Sequence, residues 1–132
     1  MTKYLTRDDI LQADDITHED VGVPEWGGVA RVKALNGAER DQFEASITEM
    51  KGKKTRINAQ NVRARLAAQT IVDEADKPIF SLADIEALGR KSAAALDRVF
   101  GVAMRLAGMR DADLEELTEN FPDAPNDAST SN

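Results

Sequence analysis

Five consecutive residues, Pro24-Glu25-Trp26-Gly27-Gly28, restrict this chain more than any others. Proline cannot donate to a strand ladder, and glycines let a backbone reverse at little steric cost. The residues on either side have β character. Val21 and Val23 are separated by Gly22, and Val29-Ala30-Arg31-Val32-Lys33-Ala34-Leu35 follows the cluster. Two such segments around a turn predict a β-hairpin near residues 20–34, with Pro24 closing its first strand.

Helical signals occupy most of the rest. Thr6 precedes Asp9 by three residues, the spacing of a capping box, so a short helix is expected over 7–14. Asn36 with Glu39 opens a second helix. Its apolar face is expected to hold Phe43, Ile47 and Met50, and Gly52 to end it. Lys51-Gly52-Lys53-Lys54-Thr55-Arg56 reads as a basic loop. A third helix starts near Asn58, with Val62, Leu66 and Thr70 as its inner stripe and Ala67 and Ile71 beside them.

Asp73 to Pro78 breaks that helix, and Ile79-Phe80 makes a short extended step. Ser81 and Asp84 repeat the start signal, and Leu82, Ile85 and Leu88 form a short apolar face ended by Gly89. Residues 90–107 carry the strongest helical pattern. Leu96, Val99, Ala103 and Leu106 recur at three, four and three, Phe100 lies on the flank, and Gly108 takes the C′ position. A last helix is expected over 111–119.

Residues 120–132 have no branched aliphatic residue and contain Pro122 and Pro125, so a disordered tail is expected there. The fold class expected is therefore mainly α (α+β), one helical domain over 1–119 with a small N-terminal hairpin. Its core should include Phe43, Ile47, Val62, Leu66, Ile71, Leu82, Ile85, Leu88, Leu96, Val99 and Leu106.

The inventory of reactive groups is thin. There is no cysteine, which removes disulfides, thiolate metal sites and cysteine nucleophiles. His18 is the only histidine and reads as structural or solvated. Asp8, Asp9, Asp14, Asp15, Glu19 and Asp20 lack the order of a calcium loop and read as a solvated acidic face. Ser46, Ser81 and Ser92 have no base near them in sequence, and no phosphate-cradling glycine pattern occurs. No catalytic residue, metal ligand or cofactor is expected, and the chain does not read as an enzyme. The start of the chain turns acidic at once, so no secretory signal is expected. No apolar run approaches the ~18–20 residues that span a bilayer. The expected setting is soluble and intracellular.

Charge is strongly segregated within a net −7. Residues 1–50 hold eleven acids against five bases, and residues 66–132 hold thirteen against six. Between them, residues 51–65 hold six bases and no acid. This island has no aromatic residue for base stacking. It reads more naturally as a balance for acidic faces of this protein or a partner than as a nucleic-acid site. Trp26 lies in a turn, where it serves either as a lid on the domain's own core or as a partner contact.

At this point the order of motifs resembles a known family. Val23-Pro24-Glu25-Trp26-Gly27-Gly28, then Val29-Ala30-Arg31-Val32, then Leu35-Asn36-Gly37-Ala38-Glu39-Arg40-Asp41 is similar to the N-terminal signature of siphophage tail assembly chaperones. Asn61-Val62-Arg63-Ala64-Arg65-Leu66 and Ile71-Val72-Asp73-Glu74 resemble that family's middle helix. Pro78-Ile79-Phe80-Ser81-Leu82-Ala83-Asp84-Ile85, with Leu88-Gly89 and Leu96, resembles its C-terminal half. The likeness spans about residues 5–120 and departs at Asp76-Lys77, where the family often places a glycine turn.

The resemblance implies a protein that binds the tape measure protein in the host bacterial cytoplasm and keeps its apolar helices soluble. It would also help recruit tail tube subunits, then leave before the virion matures, and it is a possible homo-oligomer. The first contact candidates are Pro24, Glu25, Trp26, Gly27 and Gly28, followed by the helix face of Leu96 and Phe100. Two other classes fit the residues: a head–tail connector kept in the particle, and a nucleic-acid-associated phage protein using residues 51–65.

Overall fold

The computed structural model describes residues 2–51, 54–57 and 61–109. Gly52, Asn58, the expected helix 111–119 and the tail 120–132 lie outside the described residues. The fold is α+β: a three-stranded antiparallel sheet packed against helices, plus a separate two-stranded hairpin.

Helix α1 (Arg7–Leu11) begins with the expected capping box. Asp9 N–H donates to Thr6 Oγ1 at 3.2 Å, and Thr6 N–H donates to the Asp9 carboxylate at 3.0 Å. The helix is shorter than the expected 7–14, and none of its residues is buried. Strands β1 (His18–Val23) and β2 (Gly28–Lys33) form the expected hairpin, with Val21 opposite Ala30 and Val23 opposite Gly28. Val21, Val23 and Val32 enter the core, while Gly22 and Val29 face outward.

Helix α2 (Gly37–Ser46) starts where Asn36 and Glu39 place it, with Glu39 N–H donating to Asn36 Oδ1 at 2.8 Å. The Glu39 carboxylate accepts from Asn36 N–H at 3.0 Å and also from buried Lys33, so the helix start is tied to the end of β2.

Three expectations after α2 need correction. The helix does not run to Gly52. It ends at Ser46, where Ser46 Oγ donates to Phe43 O (2.6 Å) and Thr48 Oγ1 to Glu44 O (2.7 Å), satisfying its last carbonyls. The expected basic loop is instead a hairpin, β3 (Thr48–Lys51) with β4 (Lys54–Ile57), so Met50 belongs to a strand and not to the helical face of Phe43. Helix α3 (Val62–Thr70) follows Asn61, which takes a left-handed φ of 58°. Ile71 then turns extended and forms β5 (Ile71–Val72), pairing with Val32 in a sheet of order β1-β2-β5. Ile71 is still buried, but as a strand residue and not on a helix face.

Asp73 carries the next turn, its carboxylate accepting from Ala75 N–H at 2.8 Å and Lys77 N–H at 3.0 Å. Asp76 adopts φ 65°, so the turn is made without glycine. After a 3-10 turn (Leu82–Asp84) come α4 (Ile85–Gly89) and α5 (Ala93–Leu106). Helix α5 begins after the Ser92 cap and not at 90. It ends in a Schellman motif, with Met109 N–H donating to Met104 O and Gly108 N–H to Arg105 O around Gly108 at φ 73°.

Helix α5 packs on β1, β2 and α3, and α3 packs on α2, α4 and α5. Phe43, Ile47, Leu66, Ile71, Ile85, Leu88, Leu96 and Val99 are all buried in the core; Val62 and Leu106 are partly buried against it. Leu82 is the exception, 82 % exposed. It sits at the rim of a groove, where no described element covers it.

A candidate binding surface

The tip of the β1–β2 hairpin is a 3-10 turn (Pro24–Trp26) closed by Gly27 at φ 77°, whose N–H donates to Pro24 O at 3.0 Å. Pro24, Glu25, Gly27 and Gly28 are exposed. Glu25 accepts two hydrogen bonds from the Arg98 guanidinium, at 2.6 and 3.0 Å. Those bonds, with a backbone hydrogen bond, hold the Glu25 carboxyl at about 2, against an ordinary 4.5. Arg105, two turns further along α5, donates to both carboxylate oxygens of Glu19 at 2.9 Å. One face of α5 thereby straps both ends of the first strand, and the turn is held in place from outside the core.

Trp26 lies half-buried against the core. It forms one wall of a shallow cleft of about 200 Å³ that also draws on Val29, Ile71, Ile79 and Phe80. Val29 and Ile79 are more than half exposed beside it. Phe80 also lines a larger groove of about 630 Å³. Ala45 and Ser46 of α2, Ala68 of α3, Ile85 of α4 and Leu82 contribute to that groove. Gln69 crosses between its two long helices, donating to Glu39 O at 3.1 Å. A strip of apolar side chains thus runs from Trp26 through Ile79 and Phe80 to Leu82.

The second contact candidate from sequence fares differently. Leu96 is 4 % exposed and belongs to the core, so it offers no surface. Phe100 is half-buried, with the Arg63 guanidinium 5.7 Å from its ring centre, and Arg63 is held there by Asp97. Sequence reasoning did not single out Val29, Ile79, Phe80 and Leu82 as surface residues. Their signal was present, an apolar pair directly after Pro78 in an otherwise polar breaker, but only the tertiary fold brings it beside Trp26.

His18 lies beside an ion pair. Its Nε2 is 3.2 Å from Asp76, which accepts from Arg31 Nε at 2.8 Å. That arginine hydrogen bond is the main reason the Asp76 carboxyl is held below its ordinary range. These contacts tie the 73–77 turn to the first two strands. Among the described residues no group of three His, Asp or Glu side chains is placed to hold a metal ion. No helix among them is long and apolar enough to cross a membrane.

What these residues assemble is a partly exposed apolar strip, flanked by arginine–carboxylate pairs, on a small α+β scaffold. The family model for phage tail assembly chaperones matches residues 7–120, and the chain belongs to that family. The fold is shared with the solved structure of the bacteriophage HK97 tail assembly chaperone at 18 % identity and a TM-score of 0.53, over 75 % of this chain and 94 % of that one. No curated protein matches the sequence.

Proposed function

We propose that this tail assembly chaperone binds the tape measure protein and keeps its apolar helices soluble until the tail tube grows around them. The major tail tube protein is the second expected partner. The setting is the host bacterial cytoplasm, and the chaperone leaves before the virion is complete. No catalytic step belongs to this role.

The observation that supports the reading is the exposed apolar strip of Trp26, Val29, Ile79 and Phe80 on a protein whose surface is otherwise rich in charge. Contiguous exposed apolar surface marks interaction sites, and a shallow cleft suits the apolar face of an amphipathic helix. The acidic flanks would add repulsion between coated partners and discourage clumping.

Co-expression of the tape measure protein with and without this chain is the test. The expected result is a soluble complex recovered only when both are present. The variants Trp26→Ala and Ile79→Asp should weaken the affinity for the tape measure protein by about thirtyfold, since truncating an anchor side chain in an interface costs on the order of 2 kcal/mol. Equal solubility of the tape measure protein in both cases, with no complex recovered, would overturn the proposal.

A further inference from the structure

Strand β1 is an edge that no other described strand completes. The sheet order is β1-β2-β5, so β1 has a neighbour on one side only. The far edge is closed off: β5 is two residues long, and Pro78 bridges to Val72 there. β1 is six residues long, pairs one for one with β2 without a bulge, and contains neither proline nor lysine. Those are the usual devices that blunt an edge.

The register fixes which backbone groups face the open side. Ala34 N–H donates to Thr17 O at 2.8 Å. Bonded pairs recur at every second residue of an antiparallel ladder, so Glu19–Val32, Val21–Ala30 and Val23–Gly28 are bonded pairs. The N–H and C=O groups of His18, Asp20 and Gly22 therefore point away from β2, at the spacing a further strand would use.

The flank of this edge is open as well. Arg98, Gly101, Val102 and Arg105 share one face of α5. Arg105 grips Glu19 and Arg98 grips Glu25, so that face runs beside β1 from one clamp to the other. Between the clamps stand Gly101, exposed, and Val102, half-buried against the core. A Cβ added at Gly22 or at Gly101 would meet nothing within 4 Å.

Charge decides what kind of strand fits. From Asp8 to Ala30 the sequence has no lysine or arginine. Asp14, Asp15 and Asp20 are exposed on the edge and on the chain leading into it. The base nearest Asp20 is Arg31 at 3.9 Å, and that arginine is already bonded to Asp76. A strand bearing acids, a second copy of β1 included, would set like charges opposite one another, whereas one bearing lysine or arginine gains at each pair.

We infer that the free edge of β1 pairs with an extended, lysine- or arginine-bearing segment of a partner protein, which adds a fourth strand to the sheet through main-chain hydrogen bonds. This surface is separate from the Trp26 cleft, which draws on Ile71 and Val72 at the other edge of the sheet.

The test uses the full chain with no tape measure protein present, so its outcome is independent of the function proposed above. The probe is a fluorescent, acetylated hexapeptide of alternating lysine and valine, followed by anisotropy. A second peptide is N-methylated at every residue, which keeps the side chains and charge but leaves no main-chain donor. A third carries glutamate in place of lysine. The lysine peptide is expected to bind saturably, and the other two at least about tenfold more weakly. Gly22→Pro removes one outward amide at a position where an edge strand tolerates proline, and should weaken binding of the lysine peptide by a similar factor. Gly22→Thr keeps that amide and should bind as the wild type does, while Asp20→Lys should bind more weakly. Circular dichroism and thermal melting establish that each variant is folded, and if Gly22→Pro is not, the three peptides on the wild type decide. A wild type that does not bind the lysine peptide overturns the inference. So does a methylated or glutamate peptide that binds as tightly as the lysine peptide, or a folded Gly22→Pro that binds as the wild type does.

Discussion

Phe43 and Leu66 are 1 % and 0 % exposed and stand where α2 and α3 meet the core. Truncating either removes buried methylene or ring atoms and leaves a cavity that close-packed neighbours fill only in part. Phe43→Ala is expected to destabilise by about 3–5 kcal/mol and Leu66→Ala by about 2–5 kcal/mol, read as a lower midpoint in urea. Leu82→Ala, at a side chain standing in solvent, should stay within about 0.5 kcal/mol of the wild type. These three residues also mark what periodicity can reveal. It identifies which side chains share a helix face, and that was enough for Phe43 and Leu66, whose faces are covered. Leu82 follows the same three-residue spacing as Ile85 and Leu88, but whether a face is covered depends on elements far away in sequence.

Among elements, those fixed by local chemistry were legible and those fixed by distant pairing were not. The starts at Thr6, Asn36 and Ser81 each need only a side chain three residues away, and all three carboxylates accept the expected backbone hydrogen bond. The stop at Gly108 is equally local. Gly108→Ala would force a side chain into φ 73° and is expected to cost about 1 kcal/mol, visible as a lower melting temperature with unchanged helicity at low temperature. The two-residue strand β5 exists only because β2 lies beside it, so its sequence reads as the end of a helix. The β3–β4 hairpin left a faint signal, β-branched Ile47-Thr48 and Thr55 with Ile57 on either side of Lys51-Gly52-Lys53, which the density of lysine obscured.

The clamp between the hairpin and α5 carries a pH signature. Because the folded carboxyl of Glu25 titrates at about 2 and its ordinary value is 4.5, the stability it lends is whole above about pH 4.5. It declines as the pH falls from there and is gone below about 2. Arg98→Gln should remove this part of the acid dependence, checked by comparing the melting temperatures of variant and wild type between about pH 5 and about pH 2.

For the molecule as a whole, the acidic flanks outweigh the basic island, and long-range repulsion should keep nucleic acid away. Binding to random duplex DNA at about 150 mM salt is expected to be weaker than about 1 μM, measured by fluorescence anisotropy. The structure adds a local reason: Arg63, one of the island's six bases, is engaged with Asp97 and Phe100. The charge segregation was plain in the sequence. The groove was not, because its walls come from α2, α3 and the 78–85 segment, which meet only in the folded chain.

The burial of nothing by α1 has a thermodynamic consequence. The amide of Ile10 is bonded to Thr6 O, and that of Gln12 to Asp8 O and Ile10 O, all within the same short segment. Their hydrogen exchange should proceed almost as in a free peptide, while the amides of Val32, in the central strand, should open only with the whole domain. The free energy of the body is then nearly independent of whether α1 is folded. Fraying of α1 should leave the melting temperature set by Phe43, Leu66 and Val99 unmoved.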